Sequence, residues 1–318
     1  MSADIESMFY LQRDAIPWHN LGNALDNDAA TDSEKVRKGS GLNWITDTKP
    51  LFTASGEQVS HRAVYRKDTN AILGIVGPKW QPLQNHVMID WFLPFIEAEE
   101  ATYHTGGSLC GGQKVWMLCE LKRDPEIIVP GDEFTKFMLL SNSHDGKTAI
   151  RVGFTPIRVV CHNTLSMAHG SEVSKLLRVR HSLQAETNLE RIRDTVDAWN
   201  AQFVATAEQY RYLTTKTINQ NDVHKYIKTL LGVVDKSDDE IKTRQMNIIN
   251  GIEHLIDQGL GQTNPKVHGT YYAMYQGYNE YLNHFYGRNN NNRLDSLWFG
   301  PNTTKNMNAL QLALQMAG

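Results

Sequence analysis

The feature that most constrains the fold of this chain is a pair of apolar, β-branched runs separated by a turn at Asp145-Gly146. The first run begins at Phe134, and the second ends at Val160. An Asp-Gly pair between two such runs is the strongest short-range signal for a β-hairpin, because it tolerates the positive φ angles of a tight turn. The sequence therefore predicts a hairpin here, and with it a β-sheet.

Other strand-like segments precede this hairpin. Three of them predict an antiparallel meander, at residues 44–52, 62–66 and 71–76. Two more predict a second hairpin beside glycine pairs, at residues 101–108 and 113–122. A helix of about 15 residues is predicted to begin with Asn85 as its cap and to kink at Pro94. Residues 1–41 are predicted to be irregular apart from a short helix at 32–38, and 126–129 to be a connector.

After His181 the apolar period changes from 2 to 3.6 residues, which indicates helices. Three helices are predicted with both ends, over Leu183–Tyr212, Ile241–Gly259 and Lys305–Met316. Two more are predicted to begin at Asn221 or Asp222 and at Pro265. A capping box at Ser237–Glu240 precedes the helix at Ile241. The predicted fold class is α+β. An antiparallel-sheet domain with β-β-β-α order occupies residues 1–182, and a helical region occupies 183–318.

Composition indicates a globular, cytoplasmic protein. Hydrophobic residues make up 41% and charged residues 21%, and the net charge of −3 excludes a chain coated in basic residues. The three cysteines lack CxxC spacing, which argues against a disulfide framework or a zinc ribbon. The amino terminus has no apolar core of a signal peptide, and no run of about 18 apolar residues predicts a membrane span.

Cations nevertheless cluster locally. From Arg151 to His181 five lysines or arginines stand against one acid. Arg62 and Arg66 share parity on a predicted strand, so they project from one face about 13 Å apart. Binding of single-stranded nucleic acid requires such cations together with flat side chains on which bases stack. The predicted nucleic-acid-binding residues are Arg62, Tyr65, Arg66, Lys79, Trp80, Lys114, Arg151, Arg158, Lys175, Arg178 and Arg180.

Two interpretations of these residues stay open. They could form a nucleic-acid-binding surface, or each of them could be a solvated outer residue of an antiparallel sheet. The odd spacing between Arg151 and Arg158 puts them on opposite faces of a regular strand, unless Pro156 breaks the alternation.

Several short motifs together resemble one family. They are Trp18-His19-Asn20-Leu21-Gly22, Gly77-Pro78-Lys79-Trp80, Gly111-Gly112-Gln113-Lys114-Val115-Trp116, the run from Pro156 to Leu165, Gly269-Thr270 with Asn279-Glu280-Tyr281, and Trp298-Phe299-Gly300. In order and spacing they resemble the DUF932 family, the phage/plasmid-like proteins of bacteriophages, plasmids and integrated elements. The β-β-β-α order is also similar, at the level of the fold, to the core of Rad52-like single-strand annealing proteins.

The resemblances imply a phage or plasmid recombination protein that binds and anneals single-stranded DNA in the cytoplasm of a bacterial host. They imply a homo-oligomer, either a ring or a filament. A phage exonuclease or a host single-strand-binding protein is expected as a further partner, whereas no cofactor, metal or membrane is expected.

Two other functions remain as alternatives. The chain could be a phage-encoded interaction module for host takeover or anti-defence, anchored by Tyr271, Tyr272, Tyr275 and Tyr278, although their helical spacing favours core packing. It could also be an enzyme that uses Cys161 or His162. These neighbours would point to opposite sides of a strand and so cannot activate each other, and no catalytic residue is assigned.

Overall fold

The structure is a computed structural model that describes residues 5–11, 22–158, 177–193, 196–287, 296 and 301–318. Of residues 5, 158 and 196–202 it describes the backbone alone. The strands are β1 (Ile5–Leu11), β2 (Asn23–Leu25), β3 (Thr46–Phe52), β4 (Gln58–Arg66), β5 (Ile72–Val76), β6 (Ala101–Leu109), β7 (Lys114–Leu121), β8 (Glu126–Val129), β9 (Asp132–Ser143), β10 (Ile150–Arg158) and β11 (Leu177–Val179). The helices are α1 (Ser33–Gly39), α2 (Asn85–Asp90), α3 (Leu93–Glu97), α4 (Ala185–Arg193), α5 (Val196–Thr214), α6 (Gln220–Leu230), α7 (Thr243–Gln258), α8 (Tyr271–Glu280) and α9 (Pro301–Ala317).

The strands form two sheets, and the chain is α+β as predicted. The larger sheet has the order β11-β10-β9-β7-β6-β1-β2, with β8 paired to β9, and the smaller is the meander β3-β4-β5. Both predicted hairpins and the meander are therefore confirmed. The prediction of one antiparallel sheet is corrected, since β1 and β2 run parallel and the meander is a sheet of its own. The Rad52-like β-β-β-α arrangement is not confirmed.

The chain divides into two compact units. The first comprises Met1–Arg123, Phe137–Phe154 and Lys175–Trp199, and the second comprises Asp124–Lys136, Thr155–Ser174 and Asn200–Gly318. The first unit contains the meander and most of the larger sheet, together with α1 to α4. The second contains β8 and the helices from α6 onward, with most of α5.

Strand β1 was missed by the sequence analysis, which predicted irregular structure up to residue 41. Its Met8, Phe9 and Leu11 are buried, but polar residues on both sides hide this pattern. The strand lies against β6, where a Cβ on Gly107 would come within 2.2 Å of the Ser7 carbonyl oxygen. Glycine at this position therefore lets the two strands approach.

The helix predicted from Asn85 is two short helices. α2 ends at Asp90, and α3 begins at Leu93 with Pro94 in its first turn. Proline lacks the N–H that would continue the hydrogen-bond ladder, so a break is the physical outcome rather than a kink. Asn85 is not the cap; it is the first residue of α2, and its buried side chain bonds elsewhere.

The central strands of the larger sheet are covered on both faces. Along β7 the consecutive residues Val115, Trp116, Met117 and Leu118 are all buried, although they alternate between the two faces. On one face the Tyr103 hydroxyl donates to the Ile89 carbonyl at 2.9 Å, which places α2 there. The middle of this sheet therefore offers no open platform to a ligand.

The helices of the second unit pack around tyrosines. Tyr210 lies 5.6 Å from both Tyr272 and Tyr275, measured between ring centroids, and Tyr226 lies 6.2 Å from Tyr278. The predicted interface anchors Tyr271, Tyr272, Tyr275 and Tyr278 are all buried, which confirms core packing instead. Within the described ranges, none of the helices combines the length and apolar character needed to cross a membrane.

Helix starts differ in detail from the predictions. Asn219 rather than Asn221 or Asp222 caps α6, and it forms a capping box with Asp222. The predicted box of Ser237 and Glu240 closes a 3-10 turn, so that α7 begins only at Thr243. The loop at Trp18-His19, the helix after Asn163 and the pair Cys161-His162 lie outside the described residues.

Candidate nucleic-acid interface

The two outermost strands at one side of the larger sheet, β10 and β11, carry a pair of opposed arginines. Arg151 on β10 lies directly opposite Arg178 on β11, and the flanking pairs are Ile150 with Val179 and Val152 with Leu177. Ile150, Val152 and Val179 are buried, so the two arginines share the opposite face. Arg178 is exposed, and so is Arg180, which follows two residues later. We call Arg151, Arg178 and Arg180 the arginine edge.

An aromatic stack continues from this edge. His181 packs against Trp80 with ring centroids 4.8 Å apart and an interplanar angle of 27°. The backbone N–H of Gln81 donates to the His181 carbonyl at 3.3 Å, and the His181 Nδ1–H donates to the Gln81 carbonyl at 3.2 Å. Burial lowers the pKa of His181 to about 4, so its ring is neutral near pH 7. The stack therefore fixes Trp80 beside the arginine edge without adding a charge.

Arg62 supports this stack from the meander. Its guanidinium donates to the carbonyl of Trp80 at 2.7 Å, to the carbonyl of Pro78 at 3.1 Å and to the hydroxyl of Thr48 at 3.2 Å. Most of its donors are thus directed at the protein itself. The structure brings Arg62 close to the predicted site, but in the role of holding the Gly77–Trp80 turn.

Arg62 and Arg66 do share one face of β4, as predicted, and that face points inward. Val64 lies between them on the same face and pairs with Gly74, where a Cβ would come within 2.4 Å of the Asp145 carbonyl oxygen. The face therefore packs against the β9–β10 turn. Strand parity alone could not reveal this, because it fixes which residues share a face and not what covers them.

Arg66 is engaged by acids of its own. Its side chain is 8% exposed, forms an ion pair with Glu6, and binds Asp68 at 2.7 Å. Its guanidinium also lies 4.4 Å above the Trp44 ring. Burial lowers the pKa of Arg66, but the hydrogen bonds to Asp68 and Glu6 outweigh it and raise that pKa above the ordinary value. Arg66 is therefore a structural cation rather than a surface for phosphates.

The remaining predicted residues divide into three groups. Lys79 is exposed next to Trp80, and Lys114 begins β7 opposite Ser143, at the same end of the sheet as Arg151. Tyr65 lies on the other face of the meander, where Lys49 Nζ is 4.9 Å from its ring centroid. The side chain of Arg158 and the whole of Lys175 lie outside the described residues.

A buried polar cluster beneath the turn was missed by the sequence analysis. His144 Nε2–H donates to Asn85 Oδ1 at 2.9 Å, and the Asn142 amide donates to the Leu83 carbonyl at 2.8 Å. The His144 ring meets the Trp44 ring edge-on, with centroids 5.2 Å apart. Burial first, then the nearby His181 and Arg66, lower the pKa of His144 to about 3. This neutral histidine connects the turn to α2 and to the segment before β3.

The sequence carries only a weak signal for this cluster. Ser141-Asn142-Ser143-His144-Asp145 is five polar residues in succession, directly after the apolar run Phe137–Leu140. All five are buried. Such a run is also the ordinary pattern of a solvated turn, so the sequence alone could not show that these residues are buried. Among the described residues, no group of three His, Cys, Asp or Glu side chains is placed to hold a metal ion.

Comparison with known proteins gives one match. Residues 72–298 match the family model described as "Domain of unknown function (DUF932)". The matched range contains the arginine edge, Trp80, the buried polar cluster and α8. No curated protein and no solved structure matches the chain at a significant level.

Proposed function

The chain belongs to the DUF932 family, and we propose that this member binds single-stranded DNA along the arginine edge. The observation that carries the proposal is the pair Arg151 and Arg178 on one face, with Arg180 two residues further along. Guanidinium groups form charge-assisted hydrogen bonds with phosphate oxygens, so cations placed side by side on one face suit a phosphate backbone.

The neighbouring residues suit an unpaired strand. Lys79 extends the cationic surface, and Trp80 is half-buried with one ring face held by His181. Aromatic rings beside a cationic track bind single strands without sequence preference, because every base has a flat face. Lys114 lies at the same end of the sheet. The inward-facing Arg62 and Arg66 have no direct part in this proposal.

Annealing is the reaction that such a surface would serve. Contacts to phosphates and stacking on base faces leave the base edges of the bound strand open to a complementary strand. A second copy of the chain, in a ring or a filament, would align a longer stretch of DNA. A recombination role in a phage or plasmid setting is consistent with this chemistry and remains part of the proposal.

The test is fluorescence anisotropy of a labelled poly-dT oligonucleotide over a series of salt concentrations. We expect binding at about 50 mM salt, with log K falling by about 0.7 for each phosphate contact per unit of log salt. Arg178→Gln/Arg180→Gln should weaken binding and reduce that slope by about 1.4. Lys122→Gln removes an exposed cation after β7 and serves as the control.

The competing outcomes are distinct. Absence of binding by the wild-type chain at low salt would refute the proposal. Binding with an unchanged slope in the double variant would place the DNA elsewhere on the protein. If DNA binds but complementary oligonucleotides anneal no faster with the protein than without it, the chain is a binding protein and the annealing part is wrong.

A further inference from the structure

A cavity of about 240 Å³ lies between the end of α1, the segment leading to β3, and the start of α2. It is lined by Arg37, Lys38, Leu42, Asn43, Trp44, Ile45 and His86. Arg62, Trp80 and the arginine edge are not among its lining residues. The cavity has a cationic part contributed by α1 and an apolar part contributed by Leu42, Trp44 and Ile45.

Arg37 and Lys38, the cations of the cavity, form solvent-exposed ion pairs with Glu34. Lys38 lies 3.0 Å and Arg37 lies 4.0 Å from Glu34 on the same helix. The side chains of Glu34 and Lys38 are 63% and 67% exposed. Ion pairs this exposed contribute little to stability, so a ligand anion can displace Glu34 from both cations at small cost. The helix itself carries three cations against this one acid.

Two polar side chains of the lining are not engaged by the part of the chain that the structure describes. Neither the ring of His86 nor the amide of Asn43 has a side-chain hydrogen bond to a described residue. Both carry N–H groups that can donate to a ligand anion.

Contacts with side chains that do not line the cavity fix the position of the Trp44 ring. The Arg66 guanidinium covers its ring at 4.4 Å, and the His144 ring meets it edge-on. A Cβ on Gly112 would approach its Cζ2 atom to 3.1 Å, so the backbone also closes on it. The indole is therefore a rigid wall of the cavity, and a ligand would not have to order it.

From this arrangement we infer that the cavity binds a small organic monophosphate. The phosphate would accept hydrogen bonds from Arg37, Lys38 and His86, and the organic group would lie against Leu42 and Trp44. The volume exceeds the roughly 150 Å³ of a cavity that holds benzene and is below the roughly 300 Å³ at which drug-sized sites begin. A nucleoside monophosphate is the probe that combines one phosphate with a flat group of suitable size.

Isothermal titration calorimetry of the full chain with adenosine monophosphate tests the inference. We expect saturable binding with one site per chain, and at least a tenfold loss of affinity in Arg37→Gln/Lys38→Gln. Lys35→Gln is the matched control, because it removes a cation of the same helix that does not line the cavity. Trp44→Phe keeps a flat wall of the cavity, and a smaller loss than in that double variant is expected for it.

Each outcome decides the question. Undetectable binding by the wild-type chain, or equal affinity in the Arg37→Gln/Lys38→Gln variant, would overturn the inference. Adenosine binding as tightly as its monophosphate would overturn the phosphate part, and inorganic phosphate binding as tightly would overturn the organic part. Thermal unfolding of each variant shows that the fold is retained. Arg178→Gln should leave this binding unchanged, which separates the result from that of the proposed DNA surface.

Discussion

Arg178 lies directly opposite Arg151 across the β10–β11 ladder, so two guanidinium groups share one face at the edge of the larger sheet. Like charges in such positions destabilise a sheet by about 0.2–1 kcal/mol. Two cations side by side on one face are an arrangement that an anionic ligand would bind, and the proposed DNA surface is built on it.

Removal of one of these charges should separate stability from binding. We expect Arg178→Gln to leave the free energy of unfolding unchanged or to raise it by up to about 1 kcal/mol, since repulsion is relieved. Its affinity for poly-dT should fall. Urea unfolding and anisotropy measure the two quantities, with Lys122→Gln as the control. Loss of stability together with unchanged affinity would show that Arg178 has a structural role.

Arg66 should show the opposite pattern. Arg66→Met leaves Glu6 and Asp68 without their cation, and we expect it to lower the free energy of unfolding by about 1–3 kcal/mol. Arg66→Lys should not restore stability, because one ammonium group cannot reach both carboxylates as the planar guanidinium does. Lys67→Gln changes the adjacent, exposed cation and should cost less than about 1 kcal/mol. If the Arg66→Met protein kept wild-type stability and lost DNA binding, Arg66 would be a DNA-binding residue rather than a structural one.

The buried histidines should make the first unit sensitive to acid. The pKa of His144 is lowered to about 3 and that of His181 to about 4, so the unfolded chain binds protons that the folded chain does not. Their contribution to stability is fully present above about pH 6.5 and is lost as the pH falls toward these values. We expect the free energy of unfolding to fall between pH 6.5 and 4, and His144→Gln to reduce that dependence. A wild-type profile that is flat over this range would contradict the burial of both rings.

His224 should behave in the opposite sense. Hydrogen bonds to Glu253 at 3.0 Å and to Asp238 at 3.1 Å raise its pKa above the ordinary value. Its contribution to stability is therefore present below about pH 6.5 and is lost as the pH rises through the raised pKa. The protection factors of the α6 and α7 amides, which correct for the intrinsic pH dependence of exchange, should fall over that rise in the wild-type protein and not in His224→Gln. An NMR titration that gave an ordinary pKa for His224 would contradict this.

The meander should depend on one glycine. A Cβ at Gly74 would lie 2.4–2.6 Å from backbone atoms of Asp145, and backbone cannot yield as a flexible side chain can. We expect Gly74→Ala to lower the free energy of unfolding by about 1–3 kcal/mol. Gly77→Ala is the control, since a Cβ there meets nothing within 4 Å. Equal stability of the two variants in urea would show that the turn and β5 are not in close contact.

Local patterns predicted most elements of the fold. The Asp145-Gly146 turn, the meander and helices after residue 183 follow from periods and turn residues and are found, although the helix predicted from Pro265 begins at Tyr271. Strand β1 could not be found in this way, because its pairing with β6 involves residues about a hundred positions away. The break between α2 and α3 was visible at Pro94, but its extent depends on how the surrounding core packs.

The candidate site was predictable only in part. The cations of β10 and β11 were identified, whereas their opposition depends on a register that the sequence did not fix. Arg62 and Arg66 were placed on one face correctly, but a carbonyl-rich turn and two acids cover that face. His144 was not identified, since its partner Asn85 comes from a helix that is distant in sequence.

Because β6 and β7 are covered on both faces, a nucleic acid strand bound at the arginine edge would not extend across the middle of the larger sheet. One molecule would then grip a few nucleotides, too few to hold a strand for long. A long strand would have to be occupied by several protein molecules that bind next to one another cooperatively. Nuclease footprints should accordingly lengthen in steps, and the binding curve should steepen with oligonucleotide length.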